Sequence, residues 1–124
     1  MVTSLFTNNY CLKHKTPFYH PENVERLNTI LELIEKPCFK KLFKKKSKIG
    51  KIEDIISVHD EAHIRKLFSS ISNDSFLIDQ DTYFSEKSKY AVLGCVGAVK
   101  EAVDSVMTKK VDNAFCAIRP PGQH

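Results

Sequence analysis

No apolar run in this 124-residue chain approaches the roughly 18 residues that span a bilayer, so no membrane segment is expected. The opening, Met1-Val2-Thr3-Ser4-Leu5-Phe6, has neither a basic start nor a long apolar stretch, which argues against a secretory leader. Cys11, Cys38, Cys95 and Cys116 show no Cys-x-x-Cys spacing. Cys95 and Cys116 lie among apolar residues and are expected to act as small buried hydrophobes. That usage fits a reducing compartment, cytosol or nucleus. Internal repeats are absent, and so is low complexity outside one lysine-rich stretch.

What is present is the composition of an ordinary globular protein, 42% hydrophobic and 27% charged. The length allows one domain at most. Net charge is +4, and much of the positive charge is crowded into Lys36, Lys40, Lys41, Lys44, Lys45, Lys46, Lys48 and Lys51. Residues 35–51 are therefore expected as a solvated linker, with a nuclear-import or nucleic-acid patch as the competing reading.

Leu5-Phe6 reads as a first strand. Pro21 opens a helical pattern with Val24, Leu27, Ile30, Leu31 and Ile34 on one face, and Pro37 stops it. Ile49, Ile52, Ile55 and Ile56 fit either a strand-turn or a helix. A second helix begins at Asp60-Glu61-Ala62-His63 and carries Ile64, Leu67, Phe68 and Ile71; Asn73-Asp74-Ser75 reads as a turn. A long helix starts around Ser85, Lys87 and Ser88. Its apolar face runs through Ala91, Val92, Cys95, Val99, Ala102, Val103 and Val106, and Gly94, Gly97 and Ala98 form a small-residue strip. Ala114-Phe115-Cys116-Ala117-Ile118 is an unbroken apolar run, as expected of a strand buried on both faces of a parallel sheet. Helix, buried strand and loop in that order imply an α/β fold with a site beyond the strand's carboxyl end, where Gln123 and His124 fall.

Four segments, in order, carry a family resemblance. They are Cys11-Leu12-Lys13-His14 through His20-Pro21-Glu22-Asn23-Val24-Glu25-Arg26-Leu27; Val58-His59-Asp60-Glu61-Ala62-His63-Ile64; Asp79-Gln80-Asp81-Thr82-Tyr83-Phe84-Ser85; and Arg119-Pro120-Pro121-Gly122-Gln123-His124. Together they resemble the zinc-dependent histone deacetylases and acetylpolyamine deacetylases. The resemblance implies the arginase/deacetylase fold, a three-layer αβα sandwich around a parallel sheet. It covers residues 1–124 as the N-terminal part of that domain, so a partial, truncated sandwich is expected.

The resemblance also implies roles. His124 matches the second histidine of the family's tandem pair, a general base and acid whose imidazole titrates near neutral pH. Gln123 stands where the first histidine would be; its amide donates a hydrogen bond but carries no charge. Arg26 matches an arginine of the internal channel, with pairing to Glu22 or Glu25 as the structural alternative. Asp81 matches the rim aspartate that grips the substrate backbone, Asp79 is the competing choice, and plain turn chemistry accounts for both equally well.

The family's zinc ligands and catalytic tyrosine lie beyond the matched segments. No metal ligand is therefore assigned to this chain, although the complete family domain uses zinc. His59 and His63 would share a face on a helix, but Asp60 replaces the glutamate of His-Glu-x-x-His and no third ligand is evident. Asp60-Glu61-Ala62-His63 also spells a helicase box, a reading that fails without a Gly-x-x-x-x-Gly-Lys-[Ser/Thr] phosphate loop.

The expectation is a deacetylase-family protein, inactive alone. Its family acts on acetyl-lysine proteins such as histones, or on acetylpolyamines, in nucleus or cytoplasm. Two alternatives stand beside it: a non-catalytic protein that binds chromatin partners or a full-length deacetylase, and a fragment of a longer enzyme.

Overall fold

The computed structural model describes residues 1–69 and 76–122. Its centre is strand β1, Thr3–Thr7, where Leu5 and Phe6 are almost fully buried. Successive side chains point to opposite faces of a strand, so these two residues anchor two separate cores. Parallel strands flank β1 on both sides: β2, Phe43–Lys46, and β5, Asn113–Ala117, in the order β2-β1-β5. The register runs from Thr3↔Asn113 to Thr7↔Ala117 on one side and from Ser4↔Phe43 to Thr7↔Lys46 on the other.

Helix α1, Val24–Leu33, covers the Leu5 face, where Leu27 and Ile34 pack with Leu5, Cys11 and Ala117. The helix opens at Val24 and not at Pro21. Asn23 is extended, and its side chain accepts the Glu25 N–H at 3.1 Å, which fixes the N-cap there. Helix α4, Ser88–Met107, covers the opposite face, where Ala98 and Ala102 meet Phe6. The result is helix, parallel sheet and helix in three layers, the expected α/β architecture in partial form.

The buried face of α4 is not the valine face. Val99 and Val103 are 44% and 54% exposed, whereas Ala91, Gly94, Gly97, Ala98 and Ala102 are buried. Close approach is the reason. A Cβ at Gly97 would fall 1.9 Å from the Lys48 carbonyl oxygen, and one at Gly94 would fall 2.9 Å from Asn8 Oδ1. The chain at residues 48–50 lies directly on α4, and the Gly50 N–H donates to the Leu93 carbonyl at 2.7 Å.

The lysine-rich stretch 35–51, expected as a linker, contains strand β2. Acidic partners hold it from both faces of the sheet. Lys44 pairs with Glu35 at 2.9 Å, and Lys45 pairs with Glu101 at 2.7 Å while lying over the Phe6 ring. The hydrogen bond from Lys45, then the Lys48 N–H that donates to Glu101 Oε1 at 2.9 Å and the charges of both lysines, hold the Glu101 carboxyl below the usual carboxylate range.

Ile52–Ile56 forms a short helix, α2, and Glu61–Ser69 forms α3. Ile71 and the expected turn at Asn73-Asp74-Ser75 lie outside the described residues. Beyond them, β3, Phe76–Leu77, and β4, Tyr83–Phe84, pair antiparallel as a small hairpin. Strand β5 also departs from expectation. Ala117 is buried, but Phe115 is 53% exposed, because β5 lies at an edge of the described sheet.

Candidate functional site

The carboxyl end of β5 leads into Arg119-Pro120-Pro121-Gly122, and Arg119 is 2% exposed. Burying a guanidinium is costly unless every donor finds a partner. Here Nε donates to Glu22 Oε1 and Nη2 to Glu22 Oε2, each at 2.9 Å, which makes a two-pronged ion pair. Nη1 donates to the carbonyls of Cys11 and His14. One side chain thus ties the end of β5 to the loop after β1 and to the approach of α1. The Arg119-Pro120 peptide is cis, and Gly122 has φ +70°, a left-handed conformation that favours glycine.

A serine-histidine network continues from this clamp. His14 is buried, and its Nδ1 lies 2.7 Å from Ser88 Oγ. Ser88 Oγ accepts the Ser85 N–H at 2.7 Å and lies 2.8 Å from Ser85 Oγ, which accepts the Lys15 N–H at 3.2 Å. Burial, followed by the nearby Arg119 charge, pushes the His14 pKa down to about 4 against the opposing pull of Glu22. His14 is therefore neutral at pH 7. With the Glu22 carboxylate 3.8 Å from Nε2, the network assigns the proton to Nε2 and makes Nδ1 the acceptor from Ser88.

Beside the clamp opens a cavity of about 670 Å³, lined by His14, His20, Arg26, Asp81, Tyr83 and the Pro120-Pro121-Gly122 turn, among others. His20 Nδ1 accepts the Glu22 N–H at 3.1 Å, so Nε2–H donates to the Asp81 carbonyl at 2.7 Å. This bond fastens the β3–β4 hairpin to the rest of the wall. Asp79 Oδ1 accepts the N–H groups of Asp81 and Thr82 at 3.2 and 3.0 Å. Asp79 is thus the turn-former, and Asp81 is the aspartate that lines the cavity.

Arg26 extends from α1 and borders both this cavity and a smaller one of about 200 Å³, which is lined also by Ile118, Arg119 and Pro121. The pairing of Arg26 with Glu22, weighed from sequence, gives way to Arg119, which takes both Glu22 oxygens. Gln123 and His124 lie outside the described residues. His59 precedes the first turn of α3 while His63 is inside it, so the two do not share a helix face. The Asp60 carboxylate instead accepts the His63 N–H at 2.9 Å.

Sequence reasoning missed the Arg119–Glu22 pair, the Ser85–Ser88–His14 network and a contact between Cys11 and Cys95. Cys95 and Cys116, expected as buried hydrophobes, are half-buried, whereas Cys11 is fully buried. A metal requires at least three converging ligands. Among the described residues, no group of three His, Cys, Asp or Glu could hold one. The described residues therefore do not fit a zinc ion. No described helix is long and apolar enough to cross a membrane.

Comparison with known proteins agrees with this fold. Residues 20–124 match the family described as "Histone deacetylase domain". A "Probable deacetylase" of Archaeoglobus fulgidus is 33% identical over all of this chain, which covers 35% of that protein. "Type-2 histone deacetylase 2" of Dictyostelium discoideum is 30% identical over 92% of this chain, which covers 8% of that protein. Among solved structures, the "HDA15 HD domain" superposes with a TM-score of 0.87 at 22% identity, over all of this chain and 37% of that one. The chain thus spans about a third or less of the proteins it matches. It belongs to the histone deacetylase family.

Proposed function

We propose that this chain forms the substrate-side wall of a lysine or polyamine deacetylase site and does not hydrolyse acetyl amides by itself. The observation that carries the reading is the cavity of about 670 Å³ that brings Asp81 and Arg26 to one space beside the Pro120-Pro121-Gly122 turn. Asp81 would accept hydrogen bonds from the substrate backbone at the rim. Arg26 would attract the acetate product toward the smaller cavity, since a guanidinium matches a carboxylate geometrically. Gln123 would donate a neutral hydrogen bond, and His124 would be the group able to accept a proton. The complete family domain supplies a zinc ion for this chemistry. The described residues do not fit it, so no step is assigned through it.

The partner class that follows is an acetyl-lysine protein such as a histone, or an acetylpolyamine, in nucleus or cytoplasm. The second reading, a non-catalytic protein that docks on chromatin partners or a full-length deacetylase, draws support from the exposed Phe115 on the edge of the sheet. One titration separates the two. Acetyl-lysine peptide added to isotope-labelled chain should shift the amides of Asp81 and Tyr83, with less response in Asp81→Ala and hydrolysis at background with or without zinc. Turnover by the chain alone, or an unresponsive cavity, would overturn the proposal. Shifts at Phe115 on adding a full-length deacetylase, with none at Asp81 on adding peptide, would favour docking.

A further inference from the structure

The cysteines that lie in contact are Cys11 and Cys95, 84 positions apart in sequence, with Sγ atoms separated by 3.8 Å. Cys11 lies in the short helical turn after β1, and Cys95 lies on the face of α4 that packs toward it. Cys11 is fully buried and Cys95 is half-buried. Both touch the Arg119–Pro120 turn. Cys95 Sγ lies 3.6 Å from the Pro120 carbonyl oxygen, and the Cys11 carbonyl accepts from Arg119 Nη1 at 3.2 Å. Pro120 also lines the cavity described above, whereas neither cysteine does.

We propose that Cys11 and Cys95 are a peroxide-sensitive dithiol whose disulfide resets the Arg119–Pro120 turn. Disulfide formation needs two sulfurs already close and one that ionises. The first condition is met by the contact itself. For the second, the neighbouring Cys95 thiol lowers the Cys11 pKa below the usual thiol range despite its burial, while Cys95 is raised.

The Cys11 thiolate attacks one oxygen of hydrogen peroxide. An S–O bond forms, the O–O bond breaks, and the released hydroxide takes a proton and leaves as water. Cys95 then attacks the resulting sulfenic sulfur; its thiol proton departs with the hydroxyl as a second water. Two thiols are oxidised and one peroxide is reduced. The disulfide draws the two sulfurs from 3.8 Å to about 2 Å, which shifts Cys95 Sγ against the Pro120 carbonyl and disturbs the Cys11 carbonyl contact with Arg119. This goes beyond the deacetylase reading and does not rest on it.

The other cysteines are controls. Cys38 is exposed, and Cys116 is half-buried with its pKa raised by desolvation. Reduced chain is treated with a small excess of hydrogen peroxide, alkylated and digested with trypsin without reductant. The expected product joins the 1–13 peptide to the 90–100 peptide, and a dithiol reductant reverses it. Cys95→Ser should lose the cross-link and instead leave a sulfenic acid on Cys11 that a dimedone probe traps. Cys95→Ala repeats the test should the serine variant fold poorly. Oxidation should also shift the Gly122 amide resonance in the parent chain but not in either variant. Full alkylation of Cys11 and Cys95 while Cys38 is oxidised would overturn the dithiol. A cross-link that leaves Gly122 unmoved would overturn its coupling to the turn.

Discussion

The two edges of the described sheet are built on opposite principles. Strand β2 carries Phe43-Lys44-Lys45-Lys46, exposed throughout, with lysines paired to acids above and below the sheet. Lysines on an edge discourage further strand pairing, and β2 has the character of an outer boundary. Strand β5 carries Asn113-Ala114-Phe115-Cys116-Ala117, with no charge and with Phe115 half in solvent. It has the character of a strand that accepts a neighbour. One edge is finished chemically. The other, paired to β1 on its inner side, ends where Arg119 locks the exit of β5 to Glu22.

The largest expected effect comes from breaking the lock at the end of β5. Arg119→Met strands the half-buried Glu22 carboxylate and the carbonyls of Cys11 and His14, so it should cost about 3–5 kcal/mol. Urea unfolding measures this. A loss below about 1 kcal/mol would mean that the clamp is dispensable and that the edge contacts of β5 with β1 suffice.

Next in size is the pH response of the same clamp. His14 has a folded pKa of about 4 and an ordinary value of 6.5, so the unfolded chain binds its proton more readily. The neutral form's contribution is fully present above pH 6.5 and is lost as pH falls to about 4. The loss over that window should be roughly 3 kcal/mol, since each tenfold difference in proton affinity between folded and unfolded chain is worth about 1.4 kcal/mol. His14→Gln should flatten the stability profile between those limits. A parent profile already flat from pH 7 to pH 4 would show that His14 titrates normally.

The finished edge should respond far less. The Lys45–Glu101 pair is partly exposed, and such pairs contribute about 0.2–1 kcal/mol. Lys45→Gln should therefore cost under about 1 kcal/mol, and less in high salt. If lysines 44–46 also serve nuclear import, replacing Lys44, Lys45 and Lys46 together with glutamine should move a fluorescent fusion out of the nucleus. Unchanged distribution would leave them as edge chemistry.

This contrast was legible in the sequence on one side only. Residues 114–118 read as a strand because apolar runs before a Pro-Pro-Gly turn have few other uses. Lys44-Lys45-Lys46 did not read as one, because side chains at an edge that reach solvent leave no alternating apolar pattern. Their strand depends on Glu35 and Glu101, which only the fold brings near. Helix α4 was legible as a helix but not in its orientation, because valines resemble core while close packing selects glycine and alanine. The site divides in the same way. Asp81 and Arg26 carried family motifs, whereas the Arg119–Glu22 pair joins residues 97 positions apart and has no local signature.

The smallest expected effect on stability, with the clearest readout, lies at the open edge. Phe115 is 53% exposed, so a lysine there gives up at most a partial burial, and its aliphatic stem can cover part of what the ring covered. Phe115→Lys should change monomer stability by roughly 0.5 kcal/mol. Association should change more. An apolar, unpaired edge favours docking of like edges, and a charge placed on it opposes that docking. The parent chain should self-associate as concentration rises in sedimentation, and the variant should remain monomeric. Hydrogen exchange at low concentration sharpens the point. Weak protection of residues 115–118 in the parent, rising as association proceeds, is expected of an edge that needs a neighbour. Strong protection in a dilute monomer, with identical sedimentation of parent and variant, would show β5 to be as complete as β2 and would remove the difference between the two edges.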